Sequence, residues 1–359
     1  MSHFKGGIAA LLAVALVELV AGPASATITS YTVPISGAQD AIIDNLHHTV
    51  DVTTTTDVQR YDLATHALLT PWSAVGASLR SVDITTDQNF LYIADQSAGP
   101  TQGVIRKVNT STGAKANIFY NLAGEGAGAY DIVRLSNNKM LFTANNQFSG
   151  GGSPVRFIDL SNDSVTTRAN DGVERQTDLF RSADGRRVFM TGGNTSAGDV
   201  RVYDAPSDTY KVATNVWAPL NGIAAALSPN GSLLSFEGFN VTLSVVHADD
   251  FSLVDALPTY RSGLGFSPSG LLYMADWETE LFRIYDPSTL SQVGSFPAGF
   301  DLDPFIVGNM IFSADGGTMV YQTGSGLHVF EGVPEPASMT MMGTGVAMLA
   351  LRRRRVREC

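Results

Sequence analysis

Four stretches of this chain follow one plan: LFRSADGRRVFMTGG, AALSPNGSLLSFEG, LGFSPSGLLYMAD and MIFSADGGTMVYQT. Each is rich in β-forming residues, breaks at a Ser-x-Asp/Asn/Ser-Gly turn, and resumes with β-forming residues. VDITTDQNFLYIAD, IVRLSNNKMLFTAN and AIIDNLHHTVDVT are weaker copies. Aligning the breaks puts their second residues at Asp44, Thr86, Asn137, Ala183, Pro229, Pro268 and Ala314, between 39 and 51 residues apart. A third β-rich stretch ends in step with them, at Tyr61-Asp62, Val108-Asn109, Ile158-Asp159, Tyr203-Asp204, Ala248-Asp249 and Tyr285-Asp286.

Asp-Gly and Asn-Gly supply the positive φ angles of tight hairpins, and the flanks carry the β-branched and aromatic residues of half-buried strands. A four-stranded unit returning every 40–50 residues predicts a blade. Seven copies predict an all-β, seven-bladed β-propeller. A β-sandwich would leave the recurrence of one turn unexplained. The last copy stops after Leu327-His328-Val329-Phe330, without room for a fourth strand, whereas TITSYTVP at 27–34 is a strand to spare. It is expected to complete the last blade and close the ring, which removes long unpaired edges. The 35 glycines and the low charged fraction of 16% suit a turn-rich β protein.

The ends differ from the middle. Residues 1–26 read as a secretory signal: Lys5, an apolar run from Ile8 to Val20 interrupted by Glu18, and Ala24-Ser25-Ala26 as a cleavage site. Residues 27–332 form the propeller body. Residues 333–359 hold Pro334-Glu335-Pro336, an uncharged run from Ala337 to Leu351, and Arg352, Arg353, Arg354 and Arg355. The run is expected to form a short hydrophobic helix, below the roughly 20 residues of a full span. The arginines would stay on the cytoplasmic side. Cys359 is the only cysteine, so no intrachain disulfide forms. The net charge of −11 repels phosphate backbones and excludes nucleic acid as a partner.

Val333-Pro334-Glu335-Pro336-Ala337-Ser338, the apolar run and the arginine cluster, in that order at the extreme terminus, closely resemble the PEP-CTERM protein-sorting domain. The resemblance implies export in a bacterium that makes extracellular polysaccharide. It also implies recognition by an exosortase-type transpeptidase, cutting near Pro-Glu-Pro, and transient residence in the inner membrane through the tail. The destination would be the cell surface or the extracellular matrix, as in a biofilm. The Ser-Pro-Asp-Gly-like turns ahead of Leu-Tyr-x-Ala-Asp stretches resemble YVTN and lactonase-like propellers, over residues 27–332.

The chain has no G-x-S-x-G elbow and no H-E-x-x-H. AGEGAGAYD, 123–131, lacks G-x-G-x-x-G and leads into a strand, so it reads as a crossover loop. His47 and His48, read as strand neighbours, would point to opposite faces and share no metal. Asp301 and Asp303 offer a D-x-D for calcium, against the simpler reading of a solvated acidic loop. No other metal or cofactor is expected.

Propellers bind ligands where crossover loops enter the innermost strands. Those positions fall near Arg80, Tyr130, Asp131, Gln176, Asp178, Asn221, Arg261 and Asp303. The loops between second and third strands share the face and add Asn145, Asn146, Glu237, Asp276, Trp277 and Glu278. This polar ring also fits a water-filled channel without a ligand. Two functions follow. One is a non-enzymatic surface or matrix protein binding polysaccharide or another surface protein. The other is a secreted propeller lactonase or hydrolase working at the channel, with calcium as a possible cofactor.

Overall fold

The computed structural model describes residues 27–146, 153–174, 176–192, 200–213, 224–238, 242–258, 263–302, 310–323 and 326–334. They form seven four-stranded antiparallel sheets. The innermost strands are Asp40–Asp44, Leu79–Ile84, Gly126–Arg134, Thr177–Arg181, Ala225–Leu227, Gly263–Phe266 and Met310–Phe312, in blades 1 to 7. Each touches the next, and that of blade 7 touches that of blade 1, so the ring is closed. Blade 7 takes its outermost strand from the N-terminus: Thr29–Pro34 pairs antiparallel with Gly326–Glu331, Thr29 opposite Glu331. The sequence expectation of seven blades closed by the first strand therefore holds.

The recurring residues have local jobs. In the first turn of blade 4, Ser182 Oγ donates to Asp184 and accepts the Arg187 N–H, while Gly185 takes φ 69°. Ser228–Asn230–Gly231 and Ser313–Asp315–Gly316 repeat the arrangement. The acid that ends a third strand caps the next turn: Asp62 accepts from the Ala64 and Thr65 N–H groups, Asp204 from Ser207 and Asp286 from Ser288. Blade 5 departs from the expected register. Its third strand ends at His247, and Asp250 instead caps the turn through Ser252. His47 and His48 are not on a strand. They lie in the turn after Asp40–Asp44, His48 at φ 54°, with His47 Nδ1 2.7 Å from Asp44. Polar side chains satisfying the turn backbone outweigh the strand propensity of the flanks.

The core is divided into seven apolar clusters, one per interface between neighbouring blades. Second strands are covered on both faces and so read as continuous apolar runs, as in the fully buried Leu272–Asp276. Outermost strands alternate, exposing Leu68, Phe119, Val212, Leu253 and Val293. The glycine-rich segment 123–131, expected as a crossover loop leading into a strand, is loop only over 123–125, and its other residues already belong to the strand Gly126–Arg134. There Gly128 passes so close to blade 2 that a Cβ would collide with the Asp95 carbonyl oxygen. No helix occurs among the described residues, and the expected tail helix lies outside them.

Candidate functional site

The innermost strands enclose a channel of about 750 Å³. Asp40, Ser81, Asp131 and Asp178 line it. Each stands four residues before the residue opening its blade's first turn, Asp44, Thr85, Leu135 and Ser182. Four consecutive blades thus place three carboxyls and a hydroxyl on one level of the channel.

Two of these carboxylates also join blades. Asp40 accepts the Ala41 N–H at 2.8 Å and, from blade 2, the Val82 N–H at 2.9 Å. Asp131 accepts the Ile132 N–H at 2.7 Å and, from blade 4, the Leu179 N–H at 2.6 Å. Asp83, two residues deeper, accepts the Arg134 N–H at 2.7 Å and the Arg181 guanidinium at 2.6 and 3.1 Å. Ser81 Oγ hydrogen-bonds the Ile132 backbone at 3.4 Å, and its hydroxyl beside Asp40 and Asp131, like that of Tyr130 beside Asp178, favours the charged carboxylates. Arg80 donates to Gln39 at 2.9 Å and to Gln96 at 3.2 Å.

The charges divide by depth. Burial would raise Asp83, but Arg181, with help from Arg134, outweighs it and holds the carboxyl below its ordinary range. At the upper level Arg80 lies beside the carboxyls but is bonded to Gln39 and Gln96 instead. Burial pushes Asp40 up to about 6 against the pull of the Val82 and Ala41 N–H groups. Burial likewise pushes Asp178 up to about 6, against the Tyr130 hydroxyl. Asp131 is raised well above the usual carboxylate value, by burial first and then by the charge of Asp178. Their side chains are partly open to the channel yet walled by protein, so this desolvation is smaller than that of a dry core.

A raised folded pKa means that the folded state binds more protons than the unfolded chain between about pH 4 and pH 6. For such a group stability falls as pH rises through that window. Two units on Asp178 would cost about 3 kcal/mol if fully expressed, and exposure to the channel reduces this to about 1–2 kcal/mol. Asp178→Asn is therefore expected to stabilise the protein by about 1–2 kcal/mol at pH 8 and by nothing at pH 4. Urea denaturation at both pH values measures this, and an equal effect at both would refute the assignment.

Of the residues expected at the site, Arg80, Tyr130, Asp131 and Asp178 line the channel together. Gln176 sits just before Thr177–Arg181 with φ 54° and does not line it. Asp276 is 5% exposed and bonded to Arg283 at 2.6 Å, and it caps the following turn through the Glu278 and Thr279 N–H groups. Trp277 packs against the cluster between blades 6 and 7. Asn145 is the last residue but one of the second strand of blade 3, Lys139–Asn146, and Glu278 is exposed. Asn221, Arg261 and Asp303, and the side chains of Asn146 and Glu237, lie outside the described residues. Gln39, Asp40, Ser81, Asp83, Arg134 and Arg181 were not anticipated. DAIID, SVDIT, DIVRL and DLFRS stack with an acid or serine first only after the sequence alignment is shifted by one residue in blades 1 and 3, a register that the structure supplies. Among the described residues no group of three or more His, Cys, Asp or Glu is placed to hold a metal.

At the other end of the chain, Val333 is 5% exposed, within the cluster between blades 6 and 7. The Pro334 carbonyl accepts the Tyr273 hydroxyl at 2.8 Å. Glu335, Pro336 and Arg352 to Arg355 lie outside the described residues. Residues 332–355 match the PEP-CTERM protein-sorting motif. The motif marks an exported protein that an exosortase recognises and sorts through the membrane. No curated protein matches the chain.

Proposed function

We propose that this exported propeller is a non-enzymatic binding protein of the cell surface or extracellular matrix, and that its ligand enters at the Asp40–Ser81–Asp131–Asp178 level of the channel. In this reading residues 1–26 are removed as a signal peptide, residues 27–332 bind, and the apolar tail holds the chain in the inner membrane until the sorting step. The supporting observation is that level itself: adjacent carboxyls and a hydroxyl in a cavity of about 750 Å³, large enough for a small-molecule-sized group. Carboxyls with raised pKa values are partly protonated in mildly acidic surroundings, so they both donate and accept. That suits the hydroxyls of a neutral sugar chain end. The acidic chain, at −11, disfavours an anionic polysaccharide unless a cation bridges the two.

One observation favours a second reading. Asp178, at about 6 beside the Tyr130 hydroxyl, has the pKa of a proton donor in a hydrolase or lactonase. Thermal-shift measurements distinguish the two. The panel holds neutral and acidic oligosaccharides, sugar lactones, and calcium with and without chelator. A neutral oligosaccharide at 100 times its Kd is expected to add about 2.7 kcal/mol, and Asp131→Asn is expected to abolish the shift. Turnover of a lactone or glycoside, lost in Asp178→Asn, would replace the binding reading with the enzymatic one. A flat panel would reject a sugar ligand.

A further inference from the structure

The start of the sorting motif is packed onto the propeller. After Gly326–Glu331 the chain turns at Gly332, which has φ 72°, a conformation that favours glycine. A Cβ there would also lie 2.9 Å from the Thr27 carbonyl oxygen. The Gly332 and Val333 N–H groups both donate to the Gly317 carbonyl, at 2.9 and 3.2 Å. Val333 then inserts into the apolar cluster shared by blades 6 and 7, beside residues such as Phe282, Phe296 and Phe330. Tyr273, on the second strand of blade 6 and itself fully buried, sends its hydroxyl to the Pro334 carbonyl. Its ring is fixed at 4.9 Å from Phe312 of blade 7.

We propose that the propeller is the docking platform for the first residues of its own sorting motif, with Tyr273 as the positioning residue, so that the bonds at 332–334 are protected from cleavage while docked. A transpeptidase must draw several residues on each side of the scissile bond into an extended conformation. At the Val333–Pro334 bond that would require extracting a buried valine and breaking the bonds to Gly317 and Tyr273. The slot lies between blades 6 and 7, so docking of the motif requires both blades to be in place.

The test is limited proteolysis of the full chain in detergent with a broad-specificity protease, following bonds at 332–334 by mass spectrometry. A synthetic peptide of residues 328–340 serves as the undocked reference. The wild-type chain is expected to be cut there far more slowly than the peptide. Tyr273→Phe keeps the ring and removes one hydrogen bond of about 0.5–1.5 kcal/mol, so cutting should rise about 2- to 10-fold. Val333→Ser should raise it further. Rates are taken relative to cuts within the blades, so that general loosening of the ring does not count as undocking. Wild-type cutting as fast as the peptide, or no rise in either variant, overturns the docking.

Discussion

Replacing Glu125 by glutamine is expected to destabilise the protein by about 3–5 kcal/mol, because it leaves a charge buried without its counter-ion. Glu125 is 1% exposed and Arg156 is 0% exposed. The carboxylate accepts from Arg156 Nη2 at 2.5 Å, from the Ala123 N–H at 2.5 Å and from Ser153 Oγ at 3.4 Å. Arg156 also donates to the Asn121 and Pro154 carbonyls and lies 5.0 Å from the centre of the Tyr120 ring. The pair therefore fastens the crossover from blade 2 to blade 3 to the third strand of blade 3. The expected loss is large beside the 5–15 kcal/mol that holds a typical domain together. Chemical denaturation measures it. The double variant Glu125→Gln with Arg156→Met should recover much of the loss, since neither replacement carries a charge that needs a counter-ion. A double variant that loses as much as the two singles together would refute the account.

Removing residues 27–35 is expected to have the larger effect. Val33 and Ile35 are 5% and 4% exposed and belong to the cluster between blades 7 and 1. Withdrawing them costs about 1.5–3 kcal/mol each. The six pairs from Thr29↔Glu331 to Pro34↔Gly326 are lost as well. Losing at least about 5 kcal/mol should abolish the cooperative unfolding transition. It would also leave Gly326–Glu331 as a bare edge ready to pair with another chain. Near-ultraviolet circular dichroism and gel filtration should show loss of fixed packing together with aggregation. A synthetic peptide of residues 27–36, added during refolding, should restore a monomer. A truncated chain that still unfolds cooperatively would show that blade 7 stands without its fourth strand.

Much of this architecture was readable from the sequence because its repeated residues are needed one turn at a time. Ser182, Asp184 and Gly185 specify a hairpin regardless of what surrounds them, so aligning them gave the blade count and the spare strand. Residues whose roles depend on a neighbouring blade were harder to see. Asp40 bonds to Val82 and Asp83 to Arg181, and nothing local to either aspartate announces that partner. Asp276 was expected at the ligand face because it follows a second strand, but Arg283 and the turn it caps occupy its carboxylate. A further regularity went unread: RKVN, RFID, RVYD and RIYD place an arginine three residues before the end of four third strands. Three of these arginines pair with Asp95, Glu125 and Asp276. A charge alternating with apolar residues looks like a solvated face until the acid of the neighbouring second strand or crossover is seen to hold it.

The closing pair joins residues 296 positions apart at Thr32 and His328. Every other strand pairing in the ring joins neighbours within one blade, so those hairpins can form as soon as the ribosome has delivered them. The strand Thr29–Pro34 is among the first segments made, yet it has no mate until Gly326–Glu331 is made. It must stay unpaired until that last strand is in place. Pulsed proteolysis during refolding of the denatured protein should therefore find Thr29–Pro34 protected last, after the hairpins of the other blades.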